Sequence, residues 1–178
     1  MSNIAIGIDC WQGLFQKRNI IKYCNINIDA IFFATYNGGE DMSVRHKKYT
    51  LNDKLKTNIN IYNEELIPNI YKSTDYVMNG KLLGNEISNK RLQLISQSYE
   101  FDNIFMMGGA WNNCLHYRSY GIYNVRNNFP EKNIMIYSDT IGLDGDIHGN
   151  WQSKDCYNEL KNDCKWTEID NKLFIYND

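Results

Sequence analysis

The sequence predicts an α/β fold: a mainly parallel, doubly wound (Rossmann-like) sheet of about six strands, with helices on both faces and a C-terminal antiparallel hairpin. Three observations carry that expectation. Short, nearly uninterrupted apolar runs recur along the chain, stretches with helical spacing fall between them, and residues 166–177 alternate around an Asp-Asn pair. Uninterrupted apolar runs suit strands covered on both faces, and their alternation with helices suits parallel crossovers.

Taken in order, residues 3–9 (NIAIGID) form the first strand. Residues 16–26 have helical spacing at Ile20, Ile21 and Cys24, and residues 28–36 (IDAIFFATY) are apolar again, which completes a βαβ unit. A polar, Asn-rich segment follows. Residues 73–81 read as a third strand, 89–99 as a helix and 102–109 (DNIFMMGG) as a fourth strand. A helix from about residue 114 to 124 leads to a strand at 132–139, and residues 152–164 form an amphipathic helix with Cys156, Leu160 and Cys164 on one face. That face assigns both cysteines to the core. Residues 166–177 are expected to close the fold as a hairpin. No linker, repeat or low-complexity block divides residues 1–178, and a chain of this length buries a substantial core as one domain.

Composition narrows the function. A formal net charge of -2, with 43% hydrophobic and 22% charged residues, provides neither the basic stripe of a nucleic-acid binder nor the polar excess of a disordered chain. No segment approaches the ~18 apolar residues of a spanning helix, and no basic leader precedes an apolar stretch. The expectation is a cytoplasmic soluble protein with no nucleic-acid or membrane partner, and the charge does not name the partner it has. Its five cysteines, Cys10, Cys24, Cys114, Cys156 and Cys164, are odd in number and include no CxxC pair, so reduced thiols are expected.

In a parallel sheet, ligands bind beyond the carboxyl ends of the strands. The residues there are Asp9, Tyr36, Lys81, the stretch from Gly108 to Cys114, and Asp139. Cys114 opens a helical pattern shortly after Gly108 and Gly109. A thiol at a helix N-terminus or beside a cation has its pKa drawn below the ordinary ~8.5, and the N–H groups there can receive the oxyanion formed when a thiolate attacks a carbonyl. Position alone also suits a packed small residue. Lys81 could supply the cation and Asp9 could move the proton, although singly each also reads as a common strand-end residue. Asp139 reads as a loop cap, and His116 and His148 have no partner at a recognisable spacing.

These residues bring out a likeness. IAIGIDCWQ, ELIPNIYKSTDYVMNGK, IFMMGGAWNNC and NIMIYSDTIGLD, in that order, resemble the isochorismatase-like cysteine hydrolases, which include nicotinamidases and related amidohydrolases. The resemblance runs along nearly the whole chain. It implies a catalytic triad of Asp9, Lys81 and Cys114, an oxyanion hole formed by the N–H groups of Ala110 and Cys114, and a cis peptide between Gly109 and Ala110. It further implies a small-molecule substrate, hydrolysis of a C–N bond through a thioester, no cofactor, and a homo-oligomer. Lys72 is the rival lysine.

The chain also departs from that pattern. Trp11 stands where the family commonly has Gln, with Gln12 and Phe15 following. The Asp-x-His metal motif of nicotinamidases is missing from ATYNGGEDMSVRHKKY, so no metal is expected, although Glu40, Asp41 and His46 are potential ligands. Candidates for substrate binding are Trp11, Phe15, Tyr36, Arg45, Trp111, Asn112 and Tyr117: the aromatics could stack on a planar group, and Asn112 or Arg45 could bond a polar one. The alternative is a catalytically silent member of the same fold that binds a metabolite or a protein. A nucleotide-binding domain is disfavoured because the first strand-to-helix turn, GIDCWQG, lacks G-x-G-x-x-G.

Overall fold

The structure, a computed structural model, describes residues 2–8, 28, 30–34, 60–61, 86–111, 114–142 and 156–177. Its strands are β1 (Asn3–Ile8), β2 (Ala30–Ala34), β3 (Asn60–Ile61), β4 (Asn103–Ala110), β5 (Asn133–Tyr137), β6 (Ile141–Gly142), β7 (Trp166–Asp170) and β8 (Leu173–Tyr176). The described helices are α1 (Glu86–Ser98), α2 (Cys114–Tyr117), α3 (Ile122–Asn128) and α4 (Tyr157–Asn162), with a 3₁₀ turn at Ser138–Thr140. The fold is mixed α/β. One sheet runs in the order β3, β2, β1, β4, β5, β8, β7, with β6 set against the far end of β4. Pairs within the first part are parallel, whereas β8 is antiparallel to both β5 and β7.

The apolar runs account for the strands. Ile4, Ala5, Ile6 and Ile8 of β1, Ile104 and Met106 of β4, and Ile134 and Ile136 of β5 are fully buried. Burial of each large side chain contributes about 1.5–3 kcal/mol. The α1 helix shows its buried face at Ser88, Leu92 and Ile95, the spacing of one helical stripe, and leaves Gln93 and Leu94 to solvent. It lies against α3 through asparagine amides: Asn124 and Asn128 both donate to the Asn89 side-chain oxygen, at 2.9 and 3.1 Å.

Asparagine also sets the start of the sheet. Asn3, Asn103 and Asn133 are register partners across β1, β4 and β5. The Asn133 amide donates to the Asn103 oxygen at 2.9 Å, and the Asn103 amide donates to that of Asn3 at 2.8 Å. Three strands are thereby linked in one row of side-chain bonds, as in the asparagine ladders of in-register sheets.

Some expectations lie outside the described residues, and others need correction. The strand expected at 73–81 and the helix at 16–26 lie outside the described residues; β3, at Asn60–Ile61, falls in the segment read as a polar connection. The single helix expected over 114–124 is two, because the chain turns at 118–121 and Gly121 enters α3 in an extended conformation. A Cβ on Gly121 would come within 2.8–2.9 Å of the carbonyl oxygens of Leu115, His116 and Arg118, so the close turn requires glycine.

Cys156 and Leu160 are buried as expected, but Cys164 is exposed. The Asp163 carboxylate accepts the backbone N–H of Lys165 at 3.0 Å, a local turn that competes with helix continuation and carries Cys164 out of the buried face. The expected hairpin forms, turning at Asn171 and Lys172, with Lys172 in the left-handed region at φ 64°. Among the described residues, no helix is long and apolar enough to cross a membrane.

Candidate functional site around Cys114

The parallel register of β1 and β4 ends at the pair Ile8 and Gly108. From β1 the chain order runs one way along the sheet, to β2 and β3, and from β4 it runs the other way, to β5. The reversal therefore falls between β1 and β4. At this strand tip β4 changes partner: β5 covers Asn103 to Phe105, while β6 pairs Ile141 with Gly108 and Gly142 with Ala110. Gly108 has φ 88°, a conformation open to glycine and strained for other residues, and the register shifts just beyond it. The Trp111 N–H then donates to the Gly142 carbonyl at 2.6 Å. No peptide bond among the described residues is cis, so the cis link implied between Gly109 and Ala110 has no support in the structure.

Cys114 opens α2 and is 7% exposed. The helix is a single turn, so few peptide dipoles add up at its start and the charge support expected from a long helix is reduced. A different cation stands beside the sulfur. The Arg118 side chain, 8% exposed, donates from Nη2 to Cys114 Sγ at 3.8 Å, and the Arg118 N–H returns to the Cys114 carbonyl at 3.2 Å. Residues four apart on one helical turn face each other, which is how sequence spacing produces this contact.

His116 is also buried, and its Nδ1 is bonded to the Trp111 carbonyl. A carbonyl only accepts, so Nδ1 carries the proton. Burial lowers the His116 pKa below its ordinary value, partly opposed by that bond and by Asp163. The imidazole meets the Trp111 ring edge-on at 4.5 Å and lies 5.5 Å from the Tyr123 ring. Trp111 in turn packs 5.8 Å from Trp166, and Trp166 packs 5.1 Å from Tyr176, which ties the segment holding Cys114 to the terminal hairpin.

Of the residues singled out from sequence, Asp9, Lys81, Lys72, Trp11, Phe15, Tyr36, Arg45 and Asn112 lie outside the described residues, as do Glu40, Asp41, His46 and His148. Ala110 ends β4 opposite Gly142. Trp111 is buried within the aromatic row, while Tyr117 is half-buried with its ring 5.3 Å from Tyr123. Asp139 lies in the 3₁₀ turn and pairs with Lys172 at 3.9 Å, a position distinct from the sulfur's helix. Sequence reading missed Arg118, although its four-residue offset from Cys114 was available as a signal. It also left His116 unassigned, and nothing in the spacing pointed to its contact with Trp111.

A cavity of about 610 Å³ is bounded by Ser2, Tyr99, Asp102 and Lys132 among others, at the amino ends of β1 and β4 and away from Cys114. Among the described residues, no group of three or more His, Cys, Asp or Glu side chains could hold a metal ion. The arrangement offers a buried sulfur with a guanidinium in reach, at the tip of a strand beside the chain reversal. No family model, curated protein or solved structure matches the chain.

Proposed function

We propose that the chain is an isochorismatase-like cysteine hydrolase that cleaves a C–N, amide-like bond of a small molecule through a thioester on Cys114. The observation that carries this reading is the parallel pairing of β1 with β4 up to Ile8 and Gly108. The tips of β1 and β4 end side by side at the reversal of strand order, where such sheets bind ligands; in sequence Asp9 directly follows Ile8, and Cys114 follows Gly108 by six residues.

The sheet is read as doubly wound. The α1 and α3 helices pack side by side, while the connections from β1 to β2 and on to β3 travel the opposite way along the sheet. Right-handed crossovers would lay those connections on the other face.

In the proposed reaction Asp9 takes the thiol proton and Lys81 holds the thiolate charge. The sulfur adds to the substrate carbonyl carbon, and the N–H groups of Ala110 and Cys114 take the oxyanion. Collapse of that intermediate breaks the C–N bond, with Asp9 returning the proton to the leaving nitrogen. Water then hydrolyses the thioester, releases the acid and restores the thiol.

The low exposure of Cys114 is the observation that favours the second reading, a silent fold that binds a metabolite or a protein. A panel of small amides assayed for ammonia release, with the native chain and with Cys114→Ala, separates the two. The hydrolase reading expects turnover by the native chain and its loss in a variant whose circular dichroism is unchanged. Equal turnover by both proteins, or none by either, would overturn it.

A further inference from the structure

We infer that Arg118 holds the Cys114 thiolate: its guanidinium, buried one helical turn beyond the sulfur, is a charge-stabilising and positioning residue for the nucleophile. The inference rests on reading Cys114 as a nucleophile and adds a cation that the implied Asp9, Lys81 and Cys114 triad does not include. Three observations support it. Nη2 donates to Sγ at 3.8 Å, Arg118 is 8% exposed and Cys114 is 7% exposed.

A guanidinium is a permanent cation, and its field on a sulfur at this distance is little weakened by solvent when both groups are buried. An ionised sulfur accepts the N–H bond with its full negative charge, whereas a neutral thiol is a weak acceptor. The contact therefore favours the charged, nucleophilic form. It also anchors the sulfur, because the Arg118 backbone N–H is bonded to the Cys114 carbonyl and both ends of the pair belong to one turn.

Among the described residues, the elements packed most closely on α2 are β4, which carries no titratable residue, and α3, which brings Tyr123 and Arg126. Tyr123 faces His116 and Tyr117, and Arg126 lies over the Tyr176 ring. On α2 itself, His116 responds to Asp163 and Lys165, and burial keeps it toward its neutral form.

The test is the pH profile of Cys114 alkylation by iodoacetamide, a neutral reagent, read peptide by peptide by mass spectrometry on the full chain. Resolution by peptide matters because Cys164 is exposed and reacts on its own account. In the native protein the midpoint should lie below the ordinary thiol value of ~8.5. A midpoint at or above that value overturns the inference without any variant.

In Arg118→Met the midpoint should rise by about one pH unit or more. For each unit, the rate well below the midpoint falls about three- to fourfold and the plateau above it rises about threefold. The ionised fraction drops tenfold while the more basic thiolate is the better nucleophile, with a Brønsted slope of about 0.4–0.5. The two profiles should therefore cross. Arg118→Lys, which keeps the charge, should stay near the native midpoint.

A merely structural role predicts a rate change of one sign at every pH, equally in both variants, and that result would overturn the inference, as would an unmoved midpoint in Arg118→Met. If no amide is turned over yet the profiles cross as stated, the hydrolase reading fails and the arginine's role stands. If turnover depends on Cys114 but the midpoint ignores Arg118→Met, the arginine inference alone falls.

Discussion

Gly121→Ala is the sharpest structural test of the turn that presents Cys114. The backbone at Gly121, φ -76° and ψ 174°, suits any L-residue. On conformational grounds alone, alanine would stabilise the protein by about 0.4–1 kcal/mol by restricting the unfolded chain. The surroundings predict the opposite. The added methyl would sit 2.8 Å from the Leu115 and His116 carbonyl oxygens and 2.9 Å from that of Arg118. Ordinary carbon-to-oxygen contacts begin near ~3.3 Å, so all three must open by about half an ångström. All three are backbone atoms of α2 and its exit, which a rotamer change cannot clear. Overpacking costs about 1–3 kcal/mol, and three backbone clashes put this site in the upper half of that range, so subtracting the unfolded-state gain leaves a net loss of about 1–2.6 kcal/mol. At 178 residues each kcal/mol lowers the melting temperature by about 2–4 °C. Urea unfolding followed by circular dichroism gives the answer most directly: the midpoint should fall with an unchanged slope. A midpoint equal to or above the native one would refute the steric argument, because the two effects differ in sign.

Other perturbations have equally definite outcomes. Burial lowers the His116 pKa, so the folded state resists its protonation and the unfolded state binds more protons as pH falls through ~6.5; stability is full above that pH and is lost below it, at up to about 1.4 kcal/mol per unit, until the lowered folded value is passed. His116→Gln should remove that component, and urea midpoints of the two proteins that stay parallel between pH 7 and pH 5 (about two units) would contradict it. Ile104→Ala, at a fully buried site in the central strand β4, should cost about 2–5 kcal/mol in the same assay. Lys172→Gly exchanges a left-handed lysine, strained by about 1–2 kcal/mol, for a residue at ease there, and loses an ion pair with Asp139 that is partly exposed and worth at most about 1 kcal/mol. The melting temperature should hold or rise, and a clear fall would mean that the pair has been undervalued. Asn103→Ala breaks two side-chain bonds at once and should cost about 1–3 kcal/mol.

The parts of the fold that were legible are those where one pattern dominates. The runs IAIGI, NIFMM and NIMIY are strands because uninterrupted apolar sequence is stable only when both faces are covered, and α1 follows its stripe of Ser88, Leu92 and Ile95. The hairpin at 166–177 follows from alternation about a turn.

What escaped was decided by contacts between distant segments or by local competition. The two-residue strands β3 and β6 are too short to show a period, and β6 exists because the chain after β5 folds back onto the tip of β4. The split between α2 and α3 depends on three carbonyl oxygens crowding Gly121, which no helical spacing reports. Cys164 looked apolar by position and became exposed because Asp163 binds the next turn's N–H. Within the candidate site, the place of Cys114 after a strand is legible in the sequence, Arg118 four residues on is a contact that helical spacing offers, and Lys81 lies outside the described residues.

The row formed by Asn3, Asn103 and Asn133 has a reach beyond the bonds it makes. Each link of the row is directional, amide to oxygen, so sliding β1 by one position against β4 would put an isoleucine where an asparagine must answer. A slip of that size moves a strand by about 3.3 Å along its length, enough to carry whatever follows Ile8 out of step with whatever follows Gly108. The amides at the floor of the sheet thus act as a fixed zero from which the heights of its far rim are measured, and loosening them would shift the tips of β1 and β4 against each other without touching either.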